Sequence, residues 1–137
     1  MVVWLLRGLL GQLAAQPEYK VKKPLAHTIV IPLKPVPQGR ARVGRWATYY
    51  PKTSQAYRKK LVALLSEYEA IEGPVAIEVE IAGARVNSDA DNHLKMILDA
   101  LQDAKVIASD DIRNVKHLSL SVIDGKPRTI IHIRRLV

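Results

Sequence analysis

The sequence predicts an α/β fold, a single domain with a mixed β-sheet and two main helices, from three observations. Apolar residues switch along the chain between a helical period near 3.6 and a strand period of two. Proline and glycine clusters separate the two regimes. The length, 137 residues with 48% hydrophobic, suffices for one respectable core and not for two. The predicted order is β, α, β, α, β, β, with no internal repeat and no low-complexity tract.

The elements follow in order. Met1–Leu6 is apolar, but Arg7 ends the run far short of the roughly 20 residues of a membrane span. A signal peptide would carry its positive charge ahead of that run, so neither membrane insertion nor secretion is expected. Val3, Leu6, Leu10 and Leu13 have a 3-4-3 spacing. Residues 1–24 therefore read as an N-terminal extension, a short amphipathic helix or a disordered segment, ending in a linker; residues 25–137 read as the domain. Residues 27–33 are β-branched and apolar, a strand that Pro32 ends. Residues 34–45 hold two prolines and two glycines and read as a cationic loop, and Trp46–Tyr50 as a short extended stretch. Pro51, Thr53 and Ser54 signal a helix start, and Tyr57, Leu61, Leu64, Leu65 and Tyr68 share one face of a helix closed at Gly73-Pro74.

From Val75 the period is two, with Val75, Ile77, Val79 and Ile81 opposite Glu78 and Glu80, a strand with one wet face. A second helix begins near Ala90, with Leu94, Ile97, Leu98 and Leu101 toward the core and Asp91, Lys95, Asp99 and Gln102 on the far side. After a turn at Asp110-Asp111, Leu118, Leu120 and Val122 alternate with serines, and Asp124-Gly125 predicts a hairpin into residues 129–134.

Charge is segregated. The chain carries +8 at pH 7, and residues 19–66 contain eleven of its 21 Lys and Arg without a single Asp or Glu. The remainder sets ten bases against 13 acids and is slightly acidic. A basic block of this size selects nucleic acid as the leading partner, because neutralising phosphates releases counterions whatever the base sequence. The absence of cysteine excludes disulfides and thiolate-bound zinc and fits a reducing cytoplasm.

Within the acidic part lies Asp89-Ala-Asp91-Asn92-x-x-Lys95, followed by Asp110-Asp111. With Asp89 at the end of an extended segment, Asp89 and Asp91 would leave one face about 7 Å apart at Cα. Joined by Asp110 or Asp111, they would form a hard oxygen site suited to magnesium or manganese. Asp99 lies about 12 Å beyond Asp91 along a helix and is set aside. The same residues also suit helix capping by Ser88 or Asp89, and an Asp91–Lys95–Asp99 surface ladder worth about 0.3–0.5 kcal/mol per pair. On spacing alone capping and pairing are the better reading. The histidines suit packing more than ligation: His27, His117 and His132 fall on predicted strands, and His93 lies within the motif.

The ordered set of motifs decides between these readings. Asp89-x-Asp91-Asn92-x-x-Lys95, Leu98-Asp99-Ala100-Leu101 and Val106-Ile107-x-x-Asp110-Asp111 resemble the signature of the RusA-type Holliday-junction resolvases. Pro32-Leu-Lys34-Pro35-x-Pro37-x-Gly39-Arg40-x-Arg42 and Tyr50-Pro51-Lys52-Thr53-x-x-Tyr57 are similar to the phage-like branch of that family. The resemblance runs from residue 27 to about 135. It implies a homodimeric endonuclease, dependent on magnesium or manganese and on no small-molecule cofactor, that cuts four-way DNA junctions by paired incisions. It further implies that Asp89, Asp91 and Asp111 are catalytic aspartates and metal ligands, with Asp110 the alternative third ligand, and that Lys95 is the catalytic lysine. Arg40, Arg42, Arg45 and Lys52 are expected on DNA phosphates, with Arg85 nearer the cut. Two features depart from the family: only Arg85 is basic in residues 83–88, and the first 24 residues have no counterpart in compact members. The rival readings are a non-catalytic basic nucleic-acid-binding protein, and a metal-dependent enzyme on small phosphate esters, which the extended basic block disfavours.

Overall fold

The computed structural model describes residues 26–136. The expected N-terminal helix or extension lies outside the described residues. The element order is β1 (Ala26–Ile31), β2 (Arg42–Val43), β3 (Thr48–Tyr49), α1 (Lys52–Leu65), β4 (Val75–Ala82), α2 (Ala90–Asp103), β5 (Val115–Val122) and β6 (Arg128–Arg135). The main sheet is mixed, ordered β1-β6-β4-β5, with β5 parallel to β4 and the other two pairs antiparallel. The predicted α/β class with a mixed sheet and two helices is the fold observed.

Strand alternation builds one dry face. Ile29, Ile131, Val79 and Leu120 lie in register across all four strands, and Leu61, Leu65, Met96, Ile97 and Leu101 from the two helices join their cluster. The other face is polar. There His132 bridges Thr28 and Glu80 at 3.3 and 3.2 Å, and His117 lies 3.8 Å from Glu78. The result is a two-layer domain, helices on one face and solvent on the other.

Three expectations need correction. The first helix stops at Leu65, eight residues before Gly73, because the Ser66 hydroxyl donates to the Val62 carbonyl at 2.6 Å and Tyr68 N–H turns back to Leu65. Leu64 is largely exposed, whereas Tyr68 packs edge-on against His27, whose Nε2–H donates to the Glu69 carbonyl at 2.8 Å. The buried arc of α2 is rotated from the expected one: His93, Met96, Ile97, Ala100 and Leu101 are buried, with Leu94 and Leu98 only partly so.

The third correction is topological. Asp124-Gly125 makes a turn but not a hairpin, for β5 and β6 are not neighbours; they flank β4 on its two edges. The connecting chain passes over the end of β4, held by Ile123 N–H on the Ile81 carbonyl at 2.8 Å. Gly83 makes that passage possible. Its φ is +72°, and a Cβ there would lie 2.7–2.8 Å from Pro127.

Gly83→Ala should therefore cost about 1–3 kcal/mol, from left-handed backbone strain and the clash together. Urea unfolding at neutral pH measures it; an unchanged midpoint would mean that the crossing is not tightly packed.

Candidate active site

The β4–α2 connection places the acidic motif. Beyond Gly83 the chain turns through Arg85, whose carbonyl accepts from both the N–H and the hydroxyl of Ser88, at 3.0 and 2.5 Å. The Ser88 hydroxyl also lies 2.8 Å from Nε2 of His93, a buried ring one turn into α2. Burial keeps the His93 imidazole below its ordinary pKa. Because the single Ser88 hydroxyl proton goes to the Arg85 carbonyl, the neutral ring donates its Nε2–H to the Ser88 oxygen. This arrangement fixes the residue immediately before Asp89.

Asp89 is the N-cap of α2, with extended φ and ψ of −76° and 129°. Asp91 is already in the first helical turn, so the pleated spacing expected of two strand residues does not apply. The Asp89 carboxylate makes no capping hydrogen bond; its contact is with the Asn92 amide at 3.4 Å. Among the described residues neither Asp91 nor Lys95 forms an ion pair. Capping and the surface ladder, the ordinary uses of these charges, are both absent there. The helix dipole still favours the two carboxylates at this end.

The other acids nearby are engaged. Arg58, reaching across from α1, donates to Asp103 at 3.0 and 2.5 Å and lies 3.9 Å from Asp99. Burial raises the Asp99 pKa, Arg58 opposes that rise, and the neighbouring Asp110 adds to it. Asp110 N–H donates to the Gln102 side chain at 3.3 Å, docking the acidic loop against the end of α2. The Asp111 carboxylate accepts from Arg113 through both its backbone N–H, at 3.0 Å, and its guanidinium, at 2.9 Å. These bonds and one with Ser109 lower its pKa to about 2.

Oxygen donors of this kind suit magnesium or manganese by type. Among the described residues, however, no three Asp, Glu or His side chains converge as a metal-holding group. Asp89, Asp91, Asp110 and Asp111 are thus placed at the start of α2 and in the loop beyond it without forming a closed ligand set.

The basic residues approach from another direction. Gln38 N–H donates to the Asn92 carbonyl at 3.1 Å, tying the proline-rich loop to the motif helix. Arg40 follows in that loop, Arg42 lies in β2, Arg45 in the β2–β3 turn and Lys52 at the start of α1. All four are exposed, as is Arg85, and none is in an ion pair among the described residues. A groove of about 710 Å³ runs beside α1, lined by Lys52, Gln55, Arg58 and Lys59, with Asp103 at its edge.

The profile of the family described as endodeoxyribonuclease RusA matches residues 32–134. The chain belongs to the RusA family. The RusA match contains the basic loop, both helices and every acidic residue discussed above. At the family level it makes the protein an endonuclease that resolves Holliday junctions. A search of curated proteins returned no match. Among the described residues no helix is long and apolar enough to cross a membrane.

Three contributors escaped sequence reasoning. Gln38 acts through its backbone and leaves no side-chain signature. His93 reads as an arbitrary position inside the motif, and only its burial shows its part in holding Ser88. Arg113 was accessible, since a base two residues after Asp111 can fold back on that carboxylate.

Arg113→Ala should raise the Asp111 pKa from about 2 toward the ordinary 3.8. The stabilisation by this ionised carboxylate is present above about pH 4 and fades as pH falls toward 2, so the variant narrows that acid window. Carboxyl-carbon NMR titration of the metal-free protein reads the change directly; a value still near 2 would assign the effect to Ser109 and the backbone.

Proposed function

We propose that this protein is a homodimeric, divalent-metal-dependent resolvase that cuts four-way DNA junctions in recombination and repair. Asp89, Asp91 and Asp111 hold magnesium or manganese, with Asp110 as the alternative third ligand, and Lys95 serves the reacting phosphate. The observation that carries the proposal is the set of charges left unused at the start of α2. Asp99, Asp103 and Asp111 have arginine partners, whereas Asp91 and Lys95 have none among the described residues and Asp89 makes no cap bond. Charges without a structural task, held by the Ser88–His93 contact, suit a ligand from outside the chain.

The protein's own groups divide the work. Asp89 and Asp91 supply anionic oxygens on a rigid helix start, so little reorganisation accompanies binding of a cation. When bound, a divalent cation supplies electrophilic activation of water and of the phosphodiester. Asp111, now held by Arg113, would supply the third carboxylate to such a cation. Lys95, one turn from Asp91, stabilises negative charge developing on the phosphate oxygens or on the leaving oxygen. Arg40, Arg42, Arg45 and Lys52 grip phosphates along the arms, with Arg85 beside the motif nearer the scissile bond.

A four-way junction has approximate two-fold symmetry and needs two matched cuts, which a C2 dimer supplies with two identical sites. Residues 25–137 form the nuclease domain and residues 1–24 its extension. The cysteine-free composition and the DNA substrate agree with action in the cytoplasm.

The purified protein incubated with a synthetic four-way junction should cut it with magnesium and stop on chelation, leaving linear duplex largely intact. Asp91→Asn should lower cleavage by about 100-fold or more while junction binding persists, and Lys95→Met should lower it by about 100- to 1,000-fold. Equal cutting of junction and duplex would remove the resolvase assignment and leave a nuclease. Binding without any metal-dependent cutting would favour the non-catalytic reading.

A further inference from the structure

Outside the main sheet stands a small antiparallel ribbon, β2 and β3, in which Arg42 pairs with Tyr49 and Val43 with Thr48. Its tip is the turn Gly44-Arg45-Trp46-Ala47, closed by Gly44 N–H on the Ala47 carbonyl at 2.9 Å. Trp46 is 90% exposed and Val43 88%. A soluble domain gains nothing for its own stability by presenting its largest apolar side chain to water; an aromatic tip of this kind marks a contact surface.

The tip is shaped as well as exposed. At Gly44 a Cβ would lie 3.0 Å from the Ala47 carbonyl oxygen and 3.2 Å from the Tyr49 ring, so that ring covers the glycine and braces the turn. The Arg45 guanidinium lies over the Trp46 ring at 5.6 Å. That separation is within cation–π range, and it holds the two side chains together as one cationic, planar unit. Arg40 and Arg42 flank it, in a stretch from residue 19 to residue 66 that contains no acid. The partner complementary to this surface is therefore anionic and offers a flat π face, which describes a nucleic acid with an accessible base.

We propose that the β2–β3 tip is a base-stacking wedge, with Trp46 stacking on a nucleobase at the branch point of DNA while Arg45, Arg42 and Arg40 hold the phosphates around it. The inference rests on the junction-resolving reading and adds the origin of branch selectivity. Phosphate contacts are much the same along any duplex and cannot tell a junction from a linear arm. In a continuous duplex every base face is covered by its neighbours. At a crossover the stack is interrupted, and a base face becomes available to an aromatic side chain at low unstacking cost. Trp46 is thus a specificity-determining residue, separate from the acids of α2.

Trp4 and Trp46 are the chain's two tryptophans, so Trp4→Phe leaves Trp46 as the reporter in the full-length protein. In chelator, its emission should be quenched by a synthetic four-way junction and much less by linear duplex of matched sequence. Trp46→Ala should weaken junction binding by about 5- to 100-fold, the span expected for loss of one base–aromatic stack, with Trp46→Phe retaining most of it. Duplex binding, carried by phosphate contacts, should change by no more than about two-fold. An unchanged junction-to-duplex ratio in Trp46→Ala, or equal losses on both DNAs, would overturn the wedge. So would a changed sedimentation coefficient of the DNA-free variant, which would make the tip a protein–protein contact. Failure of the wild-type protein to prefer or cut the junction would strike the resolvase reading first. A wild type that prefers and cuts the junction, beside an equally selective Trp46→Ala, strikes only the wedge.

Discussion

Strand β4 is the constraint on which the molecule depends. It is hydrogen-bonded on both edges, parallel to β5 and antiparallel to β6, along nearly its whole length. Val75, Ile77, Val79 and Ile81 are buried in the core while Glu78 is exposed, and this alternation fixes the strand's register, since a one-residue slip would carry the glutamates inside. Both consequences that matter for function follow from its C-terminal end. The chain leaves at Gly83 to deliver Arg85, Ser88 and the motif helix, and the β5–β6 connection crosses at the same glycine, where Pro127 takes the space of a side chain. The acidic motif therefore starts from a packed corner.

From that corner charge is sorted by the availability of partners. The middle and end of α2 are tied to α1 through Arg58, which takes Asp103 and stands near Asp99. The loop acid Asp111 is taken by Arg113. At the first turns of α2 the helix dipole favours anions, but among the described residues no cap bond or ion pair uses Asp89 or Asp91. The neutral, buried His93 contributes orientation there without adding a competing charge. The Gln38–Asn92 backbone bond then sets the basic loop beside this cluster. Arg40, Arg42, Arg45 and the acids Asp89 and Asp91 come from separate parts of the sequence and, among the described residues, form no ion pairs with one another.

Much of this was legible in the sequence, for identifiable reasons. The period of two in residues 75–81 and the helical spacing that starts near Pro51 and near Ala90 are local signals, and the packing of the sheet follows them. The β5–β6 arrangement was not legible, because Asp124-Gly125 specifies a turn and says nothing about which strands pair; β4 inserts between them through burial of its own apolar face. The β2–β3 ribbon escaped because two-residue strands are shorter than any period can reveal. The buried arc of α2 differs from the expected one because it includes His93 and Met96; the hydrogen bond between Ser88 and the His93 ring nitrogen lets the rest of that ring be buried. For the site, the acids and the lysine were visible as an ordered set. That Asp89 is not spent on capping is a matter of side-chain direction, which spacing cannot encode.

A division of labour follows from where these groups sit. The acids of α2 lie at the start of a helix packed into the core, the setting that the proposed phosphodiester chemistry calls for, because small displacements of a reacting group cost rate steeply. Trp46, Arg42 and Arg45 lie on a two-stranded ribbon that is a sheet separate from the main one. A two-stranded ribbon is marginally stable by itself. In the proposed reading its tip adjusts to branched DNA without disturbing the carboxylates at the start of α2. In that reading, recognition of the branch and cleavage of the bond fall to different elements. The basic loop connects them through the Gln38 contact to Asn92, within the motif itself.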